Sequence, residues 1–165
     1  MIRRPLLALV PLALLAAAPL PDAADGTSGL RIPRFVSLKS GEANVRTGPG
    51  DQYPIVWTYV RKGLPVEVIK EYTIWRQVRD AAGDTAWINK SLLTGERTAL
   101  VTRSIRTLYA RADLSSPPVW RIAPGAQVAL VLCDGEWCRV ACDGKGGYIL
   151  RSQLWGTYPG EKIEG

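Results

Sequence analysis

The sequence predicts an all-β protein made of two tandem small β-barrels behind an N-terminal export leader. Three observations carry this prediction. The chain repeats itself at a spacing of about 62 residues, its apolar stretches are short with period-two alternation, and turn-forming pairs punctuate it at close intervals.

The repeat comes first, because it sets the architecture. Val45, Pro54, Val56 and Trp57 recur as Leu108, Pro117, Val119 and Trp120. Gly63, Val66, Val68, Trp75 and Val78 recur as Gly125, Val128, Leu130, Trp137 and Val140. Gly83, Trp87, Ile88, Lys90, Ser91, Leu93 and Gly95 recur as Gly144, Tyr148, Ile149, Arg151, Ser152, Leu154 and Gly156. The offset slips by one residue twice, each time between apolar blocks, where a loop absorbs a deletion.

Within each copy, Val66-Glu67-Val68 and Val128-Ala129-Leu130 alternate as half-buried strands do. Gly48-Pro49-Gly50, Ala82-Gly83-Asp84, Pro124-Gly125, Asp134-Gly135 and Asp143-Gly144 supply the turns. The stretches from Lys90 and Arg151 fit single 3₁₀ turns. Short strands punctuated this regularly suit a small barrel, which also hides its sheet edges. The expected divisions are a leader over 1–24, a first barrel over 33–97 and a second over 99–159.

The leader reading rests on Arg3 and Arg4, the apolar run Leu6 to Leu15, and the small residues Ala16, Ala17 and Ala18. A membrane span needs about 20 apolar residues, and this run is shorter and broken by Pro11, Pro19 and Pro21. Export to the periplasm or beyond follows, with no stable membrane span in the mature form. The formal charge of +6 becomes +5 once Arg3, Arg4 and Asp22 leave with the leader, and this mild basicity favours anionic partners such as cell-wall polymers or lipid headgroups. The basic residues are dispersed and no nucleic-acid motif is present, so nucleic acid is not an expected partner.

The chain has no histidine, which removes the usual general base of nucleophilic catalysis and the commonest zinc ligand. The carboxylates are scattered, and Asp80 and Asp84 fit a turn. No catalytic residue, metal site or cofactor is expected, and the protein reads as a non-enzyme.

The three cysteines sort by geometry. Cys138 and Cys142 lie on one strand, roughly 13 Å apart, whereas a disulfide needs a Cα separation below about 7 Å. Cys133 and Cys138 flank Asp134-Gly135-Glu136-Trp137 and face each other across a hairpin. Oxidation after export pairs them and leaves Cys142 free; in the chain-entropy view so short a loop gains about 2 kcal/mol.

The run Ala43-Asn44-Val45-Arg46-Thr47-Gly48-Pro49-Gly50 resembles the opening of bacterial SH3 (SH3b-type) domains. Trp75 to Val78 and Gly83 to Ile88 continue the pattern. The second copy keeps Trp137 to Val140 and Gly144 to Ile149, with a degenerate opening at Leu108 to Arg111. From about Phe35 to Pro159 the chain is similar to exported bacterial proteins with two SH3-like domains, known mainly by their fold. Cell-wall peptidases often carry such domains. In peptide-binding SH3 domains a tryptophan at the Trp75 position lines the groove. The groove proline and tyrosine correspond here to Asn89 and Leu92, which argues against proline-motif binding.

Alternation places Val78 and Ile88 inward, and therefore Trp75 and Trp87 outward. Trp137 and Tyr148 follow in the second copy, while Trp57, Trp120 and Trp155 are assigned to packing. Asn44, Arg46 and Tyr53 lie beside the first pair. Aromatic faces next to polar donors suit sugars or peptides, so Asn44, Arg46, Tyr53, Trp75, Trp87, Trp137 and Tyr148 are the candidate ligand-binding residues, with the first barrel as the main site. The outward aromatics either bind such a ligand or bury one another between the barrels. Two functions follow: an envelope module that binds peptidoglycan or an envelope peptide, or an assembly adaptor for another envelope protein.

Overall fold

The computed structural model describes residues 27–164; the leader expected at 1–24 lies outside them. The first sheet holds β1 (Arg34–Leu38), β2 (Ala43–Arg46), β3 (Ile55–Tyr59), β4 (Pro65–Tyr72), β5 (Trp75–Arg79), β6 (Thr85–Asn89) and β7 (Leu93–Thr94). Its spatial order is β3-β2-β6-β5-β4-β1-β7. The second holds β8 (Thr98–Val101), β9 (Arg106–Tyr109), β10 (Pro118–Ile122), β11 (Gln127–Asp134), β12 (Trp137–Cys142), β13 (Lys145–Leu150) and β14 (Leu154–Trp155). Its order, β10-β9-β13-β12-β11-β8-β14, repeats the first strand for strand. The all-β, duplicated SH3-like expectation holds.

Every pairing is antiparallel. The long strands β4 and β11 each carry a register shift at the same repeat position, Val68/Lys70 and Leu130/Leu132. A bulge bends the strand and lets one strand serve both halves of a curled sheet. The 3₁₀ turns form at Lys90–Leu92 and Arg151–Gln153, as the sequence indicated.

Each barrel fills its own core. Leu38, Val45, Val66, Val68, Val78 and Ile88 pack in the first, and Val101, Leu108, Val128, Val140 and Ile149 in the second. Cys133 and Cys138 lie directly opposite in the β11–β12 hairpin and are joined, and Cys142 is a free thiol. A strand the sequence did not reveal, β15 (Ile163–Glu164), pairs with β11 and buries Ile163 in the second core.

The barrels are docked to each other through an aromatic and polar seam. Phe35 of β1 meets Trp155 edge-on at 5.0 Å between centroids and Tyr158 at 4.8 Å. The Tyr158 hydroxyl donates to Glu67 Oε1 at 2.7 Å, and Arg79 Nε donates to Glu67 Oε2 at 2.8 Å. Glu67, an outward residue by strand alternation, is therefore 4% exposed. Thr98 Oγ1 donates to the Gly63 carbonyl at 2.7 Å and shares a 2.7 Å hydrogen bond with Ser37 Oγ. Gly63 has φ +74°, and a Cβ there would sit 2.5 Å from Gln127 Nε2 of the other barrel.

At another edge of the first barrel, the segment from Thr27 to Arg34 is tied down by Glu71. Its side chain is fully buried and accepts from Arg34 Nη2 at 2.6 Å, Arg76 Nε at 3.0 Å, Ser28 N at 2.7 Å and Ser28 Oγ at 2.9 Å. Burial by itself would raise the Glu71 pKa; the hydrogen bonds from Arg34 and Ser28 outweigh it and bring the group from 4.5 down to about 2.

Three outcomes follow. Because the folded pKa lies below the unfolded one, Glu71 contributes stability above about pH 4.5 that is lost as the pH falls toward about 2. Thermal melts across that window should show the wild-type midpoint falling. Glu71→Gln, which leaves the buried Arg76 and the half-buried Arg34 without their anion, should be less stable at neutral pH by about 2 kcal/mol and lose part of that acid dependence. Phe35→Ala should split one calorimetric transition into two, as the barrels lose their shared apolar contact.

Candidate functional site

The outer face of the first barrel is built on one rung of the sheet. Gln77 of β5 lies opposite Trp87 of β6, Trp87 opposite Arg46 of β2, and Arg46 opposite Ile55 of β3. Asn44 lies two residues before Arg46 and shares its face. Arg46, Trp87, Asn44 and the adjoining Tyr53 are thus brought together, as expected.

Their polar groups are mostly engaged within the protein. Arg46 Nη1 donates to the carbonyls of Asp51 and Tyr53 at 3.1 and 2.7 Å, and Nη2 stands 3.6 Å from Asp51 Oδ1. Asn44 Oδ1 accepts from Thr58 Oγ1 at 2.6 Å. These contacts pin the β2–β3 loop and leave Tyr53 partly exposed. The Tyr53 ring lies flat on Gly48, where a Cβ would come within 2.5 Å of ring carbons. The Gly-Pro-Gly signature is there to admit that ring.

Trp75 is a correction. Alternation sends it outward as an open binding residue, yet it is 6% exposed. It does sit outside the core cluster that Val78 joins, but β5 is a central strand. Tyr72 flanks Trp75 on β4 and Asn89 flanks it on β6. Lys90 N also donates to the Ile74 carbonyl at 2.8 Å, folding the 3₁₀ corner against the start of β5. Outward direction and accessibility part company at this position.

The second barrel carries a more aromatic version of the rung. Arg139 lies opposite Tyr148 and Tyr148 opposite Tyr109. Tyr109 meets Trp137 edge-on at 5.9 Å and 89°. Trp137 and Tyr148 are half-buried, with a face still accessible. Sequence reasoning passed over Tyr109, although the repeat aligns it with Arg46.

Of the tryptophans assigned to packing, Trp57 packs on the first core beside Tyr59, and Trp155 seals the seam. Trp120 departs from this. It is 41% exposed, with Lys145 Nζ 3.5 Å above its ring. The Tyr59 that braces Trp57 is replaced by Ile122 in the repeat, so Trp120 has no ring to lean on.

Asp80 and Asp84 form a turn. Asp80 Oδ1 accepts from the amides of Ala82 and Asp84 at 3.0 Å, and Oδ2 accepts from the Tyr59 hydroxyl at 3.1 Å. Burial, with Asp80 adding to it, pushes the Tyr59 hydroxyl well above its ordinary pKa, so it stays a donor. Among the described residues no group of three histidine, cysteine or carboxylate side chains could hold a metal ion, and no helix is long and apolar enough to cross a membrane.

Two docked antiparallel barrels that repeat each other strand for strand define a duplicated SH3-like scaffold. The family model for the bacterial SH3 domain matches residues 39–95 and again 104–156, and the chain belongs to that family. A Bacillus subtilis (strain 168) relative, YrvJ, named for N-acetylmuramoyl-L-alanine amidase activity, is 26% identical over 123 residues, covering 68% of this chain and 24% of its own length. Among solved structures, NlpC1 from Trichomonas vaginalis matches with a TM-score of 0.37 and 16% identity, over 87% of this chain and 50% of that one. An NlpC/P60 family protein from Bacillus cereus ATCC 10987 matches with a TM-score of 0.34 and 13% identity, over 73% and 55%. The chain thus spans a quarter to about half of the proteins it resembles.

Gly48→Ala should displace the Tyr53 ring and loosen the loop that Arg46 holds. The expected result is a shift of the Tyr53 ring resonances and a stability loss of about 1 kcal/mol by urea titration; unchanged Tyr53 shifts would contradict this packing.

Proposed function

We propose that this protein is an exported, non-enzymatic binding module of the bacterial cell envelope, holding peptidoglycan or an envelope peptide on its aromatic faces. One observation carries the reading: half-buried aromatics stand on the outer face of each barrel, Trp87 beside Arg46 in the first and a cluster of Tyr109, Tyr148 and Trp137 in the second. Half-buried rings are held by the sheet, so a ligand stacks on them with little loss of side-chain freedom. Family membership, the amidase-named relative and the net charge of +6 support the wall as partner. A catalytic role lacks support in the arrangement, since Asp80 and Asp84 serve a turn and the sequence has no histidine.

Purified protein should pellet with isolated wall sacculi. Trp87→Ala and Trp137→Ala should each weaken that binding about tenfold, and Trp75→Ala should act through stability instead. Wild-type protein that stays in the supernatant while an envelope protein is captured by cross-linking would assign it the adaptor role.

A further inference from the structure

The two copies differ sharply at one place. In the first barrel, the Tyr59 ring and its hydroxyl bond to Asp80 fill the space under Trp57. The repeat replaces Tyr59 by Ile122, Asp80 by Cys142 and Asp84 by Lys145. Two filling side chains are shortened and an acidic position becomes basic. The result is a cleft of about 220 Å³ with Leu108 and Ile122 on its apolar floor, Trp120 as a wall, and Arg121, Lys145 and Asp143 at the mouth.

The hairpin turn aims the mouth. Asp143 and Gly144 both have positive φ, 48° and 74°, the pattern of a tight two-residue hairpin turn, which starts β13 at Lys145 beside the indole. Gly146 and Gly147 follow, where the first barrel has Thr85 and Ala86, and Gly146 continues the trough past Val119 and Trp120. Among the described residues neither Lys145 nor Arg121 forms an ion pair. The ring contact of Lys145 is electrostatic and uses none of its N–H donors. Two cations against one carboxylate leave the mouth net positive beside an apolar floor.

We propose that this Trp120–Lys145 cleft is a second binding site, which takes the free carboxylate end of a short peptide. The carboxylate meets Lys145 and Arg121, the last small apolar side chain rests on Leu108 and Ile122, and Asp143 is placed to accept from the peptide N–H. Size favours this ligand, because sites for drug-sized molecules run from about 300 Å³ upward and this cleft is smaller. It suits one small residue and its terminus better than a pair of sugars. The choice of a peptide rests on the envelope-binding reading above; the demand for a free carboxylate rests on the cleft.

Cys142 lines the cleft and supplies a reporter, since the other two cysteines are bonded to each other. Burial and the neighbouring Asp143 push its thiol pKa up, so alkylation is followed in mildly alkaline solution. The probe is N-acetyl-trialanine with a free carboxylate, compared with the same peptide as its C-terminal amide. The free acid should slow Cys142 alkylation by N-ethylmaleimide saturably and shift the Trp120 indole N–H resonance. The amide should need roughly tenfold higher concentration, the loss of one charge-assisted contact. Lys145→Gln, a change at an exposed side chain, should abolish the discrimination between acid and amide when each is read against that variant's own ligand-free alkylation rate.

Equal protection by acid and amide, or no saturable protection at millimolar peptide, overturns the site. So does a Lys145→Gln protein that still discriminates. Sacculus binding that persists while neither peptide protects Cys142 removes this site and leaves the wall-binding reading standing. Peptide protection in a protein that pellets with no sacculi upholds the site and removes that reading instead.

Discussion

At the seam between the barrels the Glu67 carboxylate lies out of water, held by the Arg79 guanidinium of its own barrel and the Tyr158 hydroxyl of the other. A buried carboxylate is costly unless both its charge and its lone pairs are met, and here the second partner exists only when the barrels are docked. Tyr158 is a dependable donor, since burial and the neighbouring Glu67 hold its hydroxyl protonated far beyond neutral pH. The Phe35, Trp155 and Tyr158 rings exclude water around the pair, and Ser37 with Thr98 adds a second polar tie. The relative placement of every outer face follows from this contact.

On that fixed frame the copies have specialised in different directions. The first kept the Gly48 loop, with Tyr53 laid on the glycine and Arg46 bonded to the loop carbonyls. Its polar groups hold a shape. The second gave up that loop, placed Tyr109 where Arg46 stood, and gained the Tyr109–Trp137 contact. It also lost the Tyr59–Asp80 filling and exposed Trp120. The second barrel thus carries both the disulfide and the more open aromatic surface.

Much of the fold was legible because its causes are local. Hairpins, 3₁₀ corners and the Cys133–Cys138 bridge depend on residues a few positions apart, and period-two alternation located Val66, Val68, Val78 and Ile88 in the core. The candidate site was only half legible. Trp87, Trp137, Tyr148, Asn44, Arg46 and Tyr53 do share outer faces, whereas Trp75 is covered and Trp120 is open. Alternation tells which way a side chain leaves the strand; it is silent on what else arrives there.

That limit applies first to the pair of barrels themselves. The duplication, the repeated central hairpins and their inward residues were determined by the sequence alone, since short-range periodicity and turn chemistry specify a ladder without outside help. The docking of the copies, the burial of outward Glu67, the covering of Trp75 and the opening beside Trp120 were decided by the tertiary structure. Each depends on contacts between segments far apart in the chain, whose outward side chains carry no periodic mark of the surface they will meet.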